Sequence, residues 1–408
     1  MKNDMPLPVI VFVAHGISRE TIRLQPWRYL YELAVRMSNN GRVILITDAS
    51  GAEYEEAWSE NLTVVSTRLL SVRRMSSLVR YINSLGADRV WWSVTPRSII
   101  YYRAWKKLGC RITALITCPL YPWALLVRAG LSGVPWIELK ALIQQRGIPR
   151  FMFVRLLMQP YIRRVIVQSQ SNRKILVESG LEKERIDVVP VGIDPEDRKS
   201  VPGENINEVR KQYGFGGSAL VFSYMGAVRK IRGIDVLIKA FSRIAANRTD
   251  ACLVVLARGA DKTTVNNYRE KFRSLGLEGR VKIIGGWLDR EQVWAHIEAC
   301  DVVVLPFVVV PSDVPIAILE ALAREKPVIG TRVDGIPELV EGRGLVVESM
   351  DDLQLAEAMK SIVDKTVDYQ DLSRSARKFM KDYPDWDEVY RMVERLENQV
   401  SDECSPNH

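Results

Sequence analysis

The stretch that decides the fold is Tyr224-Met-Gly226-Ala-Val-Arg229-Lys230-Ile-Arg232-Gly233-Ile-Asp-Val-Leu-Ile-Lys-Ala-Phe241. A strand-like apolar run ends at Gly226, a basic loop follows, and Gly233 opens a segment with apolar residues at helical spacing. Glycine permits close approach of the backbone. A helix start offers free N–H groups and the positive end of a dipole. Arg229, Lys230 and Arg232 add charge-assisted donors, and the two arginines can bind in a bidentate way. A diphosphate suits such a loop. The same residues also read as a solvated basic turn, and the stretch alone does not decide between the two.

Outward from it, short apolar runs alternate with amphipathic stretches. In the second half strands are predicted at 219–225, 252–256, 281–284, 302–305, 328–330 and 344–347. Helices are predicted at 234–246, 264–275, 290–299, 315–324 and 353–363. The first half repeats the pattern more loosely, with strands at 9–13, 42–47, 62–65, 90–93, 112–116 and 165–168 and a helix at 26–37. Strands that are apolar throughout are those covered on both faces of a parallel sheet. The Pro- and Gly-rich segment from Pro190 to Gly203 is the best boundary. The expectation is an α/β protein of two doubly wound, Rossmann-like lobes facing across a cleft. The first lobe spans 1–190 and the second 191–375, and residues 376–408 form helices that cross back to the first lobe and end in a frayed tail.

Composition narrows the classes. A chain of 408 residues with 47% hydrophobic and 26% charged residues is globular rather than disordered or collagen-like. Five cysteines, at 110, 118, 252, 300 and 404, form no C-x-x-C pair, which argues for a reducing compartment and against structural zinc. No apolar run nears the ~20 residues of a membrane span, and the start does not read as a secretory signal. A cytoplasmic protein that can touch the inner face of a membrane is expected. Residues 1–190 carry 27 basic and 14 acidic residues, and within 61–175 there are 19 basic residues against only Asp88 and Glu138. Such a field favours anionic partners. No nucleic-acid-binding module is recognisable, so that class is set aside.

Two more segments bear on function. Pro306-Phe-Val-Val-Val-Pro311-Ser312-Asp313-Val314-Pro315-Ile316 leads into a helix carrying Glu320 among Ile318, Leu319, Ala321 and Leu322. A carboxylate in such company needs a partner, for which vicinal ribose hydroxyls would serve; it reads equally as the solvent face of an amphipathic helix. Lys326-Pro-Val-Ile-Gly-Thr-Arg-Val-Asp-Gly335-Ile-Pro-Glu338 adds a strand, a glycine turn and a short helix. In order and spacing the three segments resemble the retaining glycosyltransferases of family 4, which have the GT-B fold. The resemblance rests on Gly226, Arg232, Gly233, Leu237, Ile238, Ala240 and Phe241. It continues through Pro315, Leu319, Glu320, Ala321, Ala323, Pro327, Val328, Ile329, Gly335, Pro337 and Glu338. It covers about 165–345 well and the first 160 residues in outline.

The resemblance implies a nucleotide-diphosphate sugar as donor and no resident cofactor or metal. Arg232 would hold the diphosphate and Glu320 the ribose. Ser312, Asp313, Val314, Pro315 and Ile316 would hold the donor sugar and the β-phosphate, with Gly226 and Arg229 beside them and Trp287 near the base. The family's arginine after the first glycine is Ala227 here, so Arg229 is expected to supply that charge. The first glutamate of the family's E-x7-E pair falls on Ser312, with Asp313 one place later. No histidine stands at Ile116-Thr-Cys118-Pro119, where many members have one. His15-Gly16 is the only imidazole placed to face the cleft, and it reads also as a loop histidine with no role. His296, among Trp294 and Ile297, reads as structural. The family is thought to react on one face of the sugar, the leaving phosphate oxygen taking the acceptor proton.

For the acceptor, Pro119–Arg128 and Arg150–Met158 mix Trp, Phe and Leu with arginine, as segments resting on anionic lipid do; the same residues also read as core helix faces with solvated arginines. A lipid-linked or membrane-associated glycan or lipid is the expected acceptor. Two other classes stay open: a non-catalytic relative that binds nucleotide sugar or a partner enzyme, and a nucleotide-sugar epimerase, for which no acid–base pair of carboxylates is assignable.

Overall fold

The structure is a computed structural model that describes residues 7–403 apart from 50, 200 and 311, without the side chains of 399–403; Pro311, Cys404 and His408 lie outside the described residues. The first lobe is built on β1 (Val9–Val13), β2 (Arg42–Thr47), β3 (Tyr54–Ser59), β4 (Leu62–Ser66), β5 (Arg89–Ser93), β6 (Ile112–Ile116), β7 (Ile162–Val167) and β8 (Ile186–Val188). Their order in the sheet is β3-β4-β2-β1-β5-β6-β7-β8. The second lobe holds β9 (Leu220–Gly226), β10 (Ala251–Arg258), β11 (Val281–Gly286), β12 (Val302–Leu305), β13 (Val328–Thr331) and β14 (Gly344–Val347), in the order β11-β10-β9-β12-β13-β14. All pairings are parallel except β3 with β4. Central strands such as β1 and β10 are buried along nearly their whole length, as a sheet with helices on both faces requires. β3 was not expected. Its sequence, YEEAWS, alternates half-buried and exposed residues, which suits an edge strand wetted on one side.

Strand order turns at β1, which lies between β2 and β5, and at β9, which lies between β10 and β12. Crevices open beyond the carboxyl ends of strands at such points. His15 follows β1, Gly226 ends β9, and the 306–315 loop follows β12. The topology thus brings the sequence-selected residues to two strand-end rims.

The chain crosses between lobes twice, side by side. Ile193 forms a parallel bridge with Asp385, and its N–H donates to the Pro384 carbonyl at 3.3 Å. The Trp386–Glu403 helix then lies on the first lobe. Trp386 packs edge-on to Tyr29, Arg36 Nε meets Asp387 at 2.6 Å, and buried Glu397 accepts from Thr113 and Arg163. Gly192 is required at the crossing, because a Cβ there would come within 2.8 Å of the Trp386 ring.

A polar seam joins the lobes. The Tyr121 hydroxyl donates to the Val310 carbonyl at 2.7 Å and accepts from the Val310 N–H. The Asp313 N–H donates to the Thr117 carbonyl at 3.1 Å. Two carboxylates of the second lobe gather at the start of the Gln170–Glu178 helix of the first. Ser169 Oγ donates to Asp313 Oδ1 at 2.8 Å, and Glu338 accepts from the amides of Gln170 and Ser171. Carboxylates are favoured at a helix N-terminus. Oδ2 of Asp313 and Oδ2 of Asp334 are buried there with no hydrogen bond of good geometry among the described residues. Burial, with Glu338's charge adding and Ser169's hydrogen bond opposing, pushes Asp313 up to about 7. Burial and then the charge of Asp313 raise Asp334 well above the usual carboxylate range.

Two predictions follow from these contacts. Gly192→Ala forces the crossing apart and costs about 1–3 kcal/mol, read as a lowered unfolding temperature; an unchanged temperature contradicts the tight contact. For the seam, the folded state holds a proton on Asp313 that the unfolded chain has released. Its contribution to stability is therefore present below about pH 4 and declines as pH rises to about 7. Asp313→Asn removes that decline, so its unfolding temperature relative to the wild type rises between about pH 5 and about pH 8. A constant difference across that range counts against a protonated Asp313.

Candidate functional site

The rim of the second lobe is a cradle of cations. Gly226, at φ +134°, ends β9, and a Cβ there would lie 3.5 Å from Nη1 of Arg232. Gly233, at φ +78°, lets the Ile234–Ala245 helix begin against the loop after β12; a Cβ would sit 1.7 Å from the Pro306 carbonyl oxygen, so no other residue fits without movement. The Ile231 carbonyl accepts from the amides of Val308 and Val309, stitching the basic loop to the 306–315 loop.

Arg232 is half-buried over the face of Phe307, its guanidinium carbon 5.6 Å from the ring centroid. Among the described residues its guanidinium has no hydrogen-bond acceptor. Burial and then the neighbouring charges of Arg229 and Arg258 push its pKa down, against the pull of Tyr224. An anion would relieve both effects. Arg258 ends β10 and stacks on Trp287 at 5.4 Å; Trp287 is 73% exposed. Glu320 lies on the Ile316–Ala323 helix, half-buried, with Ile318, Leu319, Ala321 and Leu322 buried around it. No hydrogen-bond partner for its carboxylate is found among the described residues. Burial and then Asp197 raise its pKa, while Arg258, Arg28 and Arg290 oppose them. Arg258 acts on both Arg232 and Glu320, which places the three in one electrostatic cluster.

The structure thus brings Gly226, Arg229, Arg232, Trp287 and Glu320 to one rim. It places Ser312, Asp313, Val314 and Pro315 differently. All four are buried, and the Asp313 carboxylate faces Ser169 of the first lobe rather than open space. Asp313 therefore acts here on the seam; a direct contact with a sugar would require the loop to move. Ile316, half-buried, is the residue of this group nearest solvent at the helix start.

Across the cleft, His15 is more than a loop histidine in geometry. Its Nδ1 lies 2.8 Å from Asp48 Oδ2 and its Nε2 3.4 Å from the Tyr101 hydroxyl. The Gly16 amide donates to Asp48 Oδ1 at 3.1 Å, and Trp27 Nε1 donates to the His15 carbonyl. Asp48 is held below its usual pKa by the His15 hydrogen bond and charge, which outweigh burial. The Asp48 carboxylate orients the imidazole, and its other ring nitrogen faces the Tyr101 hydroxyl. His296 is buried and stacked on Tyr213, its Nδ1 2.9 Å from the phenol oxygen, a structural place. Sequence reading missed Arg258, Asp48 and Tyr101. Arg258 could have been found as a charge ending an otherwise apolar strand. Asp48 and Tyr101 follow different strands, and only the sheet order unites them with His15.

The helices Trp123–Leu131, Trp136–Arg146 and Arg150–Leu157 answer both readings of their apolar residues. Leu126, Ala129, Leu139, Leu142, Phe153 and Leu157 are core, whereas Leu131 is 84% and Ile137 77% exposed, with Trp136 and Phe151 beside them in the exposed class.

Residues 205–379 match the family described as glycosyl transferases group 1. The D-inositol 3-phosphate glycosyltransferase of Corynebacterium diphtheriae is 28% identical over 165 residues, which are 39% of this chain and 38% of that protein. A GDP-mannose-dependent monoacylated alpha-(1-6)-phosphatidylinositol monomannoside mannosyltransferase of Corynebacterium glutamicum is 26% identical over 221 residues, 53% of this chain and 56% of that one. The matches thus span less than two thirds of these relatives. Among solved structures, Anabaena HepE in complex with UDP aligns with a TM-score of 0.71 at 17% identity, over 96% of this chain and 100% of that one. At that identity the likeness speaks for the fold. The chain accordingly has the GT-B fold, and its residues 205–379 match the glycosyl transferases group 1 model.

Proposed function

We propose that this chain is a retaining glycosyltransferase of the family 4 type. It moves a sugar from a nucleotide diphosphate to an acceptor hydroxyl, borne by a lipid-linked or membrane-associated glycan or lipid. The observation that carries the reading is the cradle of Arg229, Arg232 and Arg258, none of which forms an ion pair among the described residues, beside the Glu320 carboxylate, which finds no hydrogen-bond partner among them. Residues 191–375 hold the donor and residues 1–190 present the acceptor, with 376–408 crossing back. The guanidinium groups take the negative charge that builds on the leaving diphosphate, a task that preorganised donors perform best where water is excluded. No resident cofactor or metal has a step in this scheme. Glu320 binds the ribose hydroxyls, Trp287 offers its face to the base, and the first free amides of the Ile316–Ala323 helix meet the β-phosphate. His15, oriented by Asp48, lies on the acceptor side with Gly16 and hydrogen-bonds an acceptor hydroxyl. Attack and departure occur on one face of the sugar, and the leaving phosphate oxygen takes the acceptor proton.

Membrane recruitment belongs to the same reading. Among the described residues no helix is long and apolar enough to cross a membrane. The exposed Leu131, Trp136, Ile137 and Phe151 stand among Arg128, Lys140, Arg146, Arg150 and Arg155, an arrangement suited to lying at the inner, anionic face of a bilayer.

Thermal-shift measurements with UDP, GDP and ADP sugars test the donor site. A sugar nucleotide at ~100 times its Kd stabilises the protein by about 2.7 kcal/mol. Arg232→Ala and Glu320→Ala each abolish the shift given by the best donor; full responses from both variants refute the assignment. Vesicles containing anionic lipid retain the protein at low salt and neutral vesicles do not. Equal partitioning rules out electrostatic recruitment.

A further inference from the structure

One feature of the first lobe has no part in that scheme. Beyond the ends of β5 and β6, at Pro96 and Pro119, a slot opens between the Trp136–Arg146, Arg150–Leu157 and Gln170–Glu178 helices. It is a narrow, partly open slot whose walls are mainly apolar, with Leu142, Ile148 and Phe153 among them. Its back wall includes Tyr121, whose hydroxyl holds Val310 of the second lobe. The slot therefore runs from the helices with exposed apolar residues toward the seam between the lobes.

Its polar groups are few and mostly cationic. Nε of Arg146, Nε of Arg150 and Oε1 of Gln145 are buried there without hydrogen-bond partners among the described residues. Arg150 is fixed by a 2.7 Å bond from Nη2 to the Leu120 carbonyl, and Arg146 by stacking on Trp123 at 5.6 Å. Burial and the charge of Arg146 both lower the pKa of Arg150. No carboxylate lines the slot, so nothing in its lining opposes a bound anion. Apolar walls with two guanidinium groups match an amphiphile that has a hydrocarbon chain and an anionic head.

We propose that this slot binds the hydrocarbon chain of a single lipid phosphate, whose anionic head lies between Arg146 and Arg150. The assignment deepens the acceptor reading given above and rests on it: the glycosyl acceptor is a lipid phosphate or is carried by one. The chain enters from the bilayer along the exposed helices, and the head group lies on the sheet rim that also carries His15.

Calorimetric titration of the full chain with dodecyl phosphate, kept below its micelle concentration, tests the site. One molecule binds per chain. Ile148→Trp, which fills the slot, and Arg146→Ala, which removes one cation from its edge, each weaken binding by about tenfold or more. Both variants keep the wild-type thermal shift with the best sugar nucleotide, which verifies their fold. Absence of binding to the wild type overturns the proposal, as do unchanged affinities in both variants. Competition by inorganic phosphate at equal concentration also overturns it, since the site would then be one for a bare anion. Binding of dodecyl phosphate without any response to sugar nucleotides leaves the slot standing and removes the glycosyl-transfer reading. A nucleotide response without dodecyl phosphate binding does the reverse.

Discussion

Positive charge held without an ion pair among the described residues is the constraint around which the rim of the second lobe is organised. Arg232 is half-buried, and the like charges of Arg229 and Arg258 act on it. Desolvation and like-charge repulsion both act against such an arrangement in the free protein. The fold holds it in place by geometry. Gly226 and Gly233 bring the backbone close, and Phe307 supports the guanidinium from below. Groups fixed in this way need little rearrangement when an anion arrives, which is the physical basis of electrostatic preorganisation.

The loop after β12 serves two structures at once. Phe307 lies under Arg232, Val308 and Val309 bind the basic loop, Val310 holds Tyr121, and Asp313 holds Ser169. The cradle and the seam therefore share one short segment. A ligand that shifts this segment disturbs the buried carboxylates, and ionisation of those carboxylates disturbs the cradle. The Oδ2 atoms of Asp313 and Asp334, with no hydrogen bond of good geometry among the described residues, leave the seam incompletely satisfied, which weakens it relative to a dry apolar contact.

Much of this was legible in the sequence, for identifiable reasons. Strands such as 302–305 and helices such as 234–245 carry strong periodicity and glycine punctuation, so their type and extent read correctly. β3 was hidden because its charged, alternating sequence resembles a loop. Arg232 and Glu320 were readable because each breaks a local pattern: a cation at a glycine turn and an acid in an apolar helix. For Ser312 and Asp313 the family resemblance implied donor contacts, yet their orientation is set by the first lobe, about which local sequence says nothing. The Asp48–His15–Tyr101 group depends on the order β2-β1-β5, a long-range property with no local signature.

The two crossings between lobes have a mechanical consequence. Because Ile193 and Asp385 run side by side and Trp386 is wedged on Gly192, the connection is a two-ply strap rather than a single thread. A single thread lets two bodies swivel freely; two strands bridged side by side resist that. Twisting of one half against the other about a lone connection is thereby opposed by the strap itself.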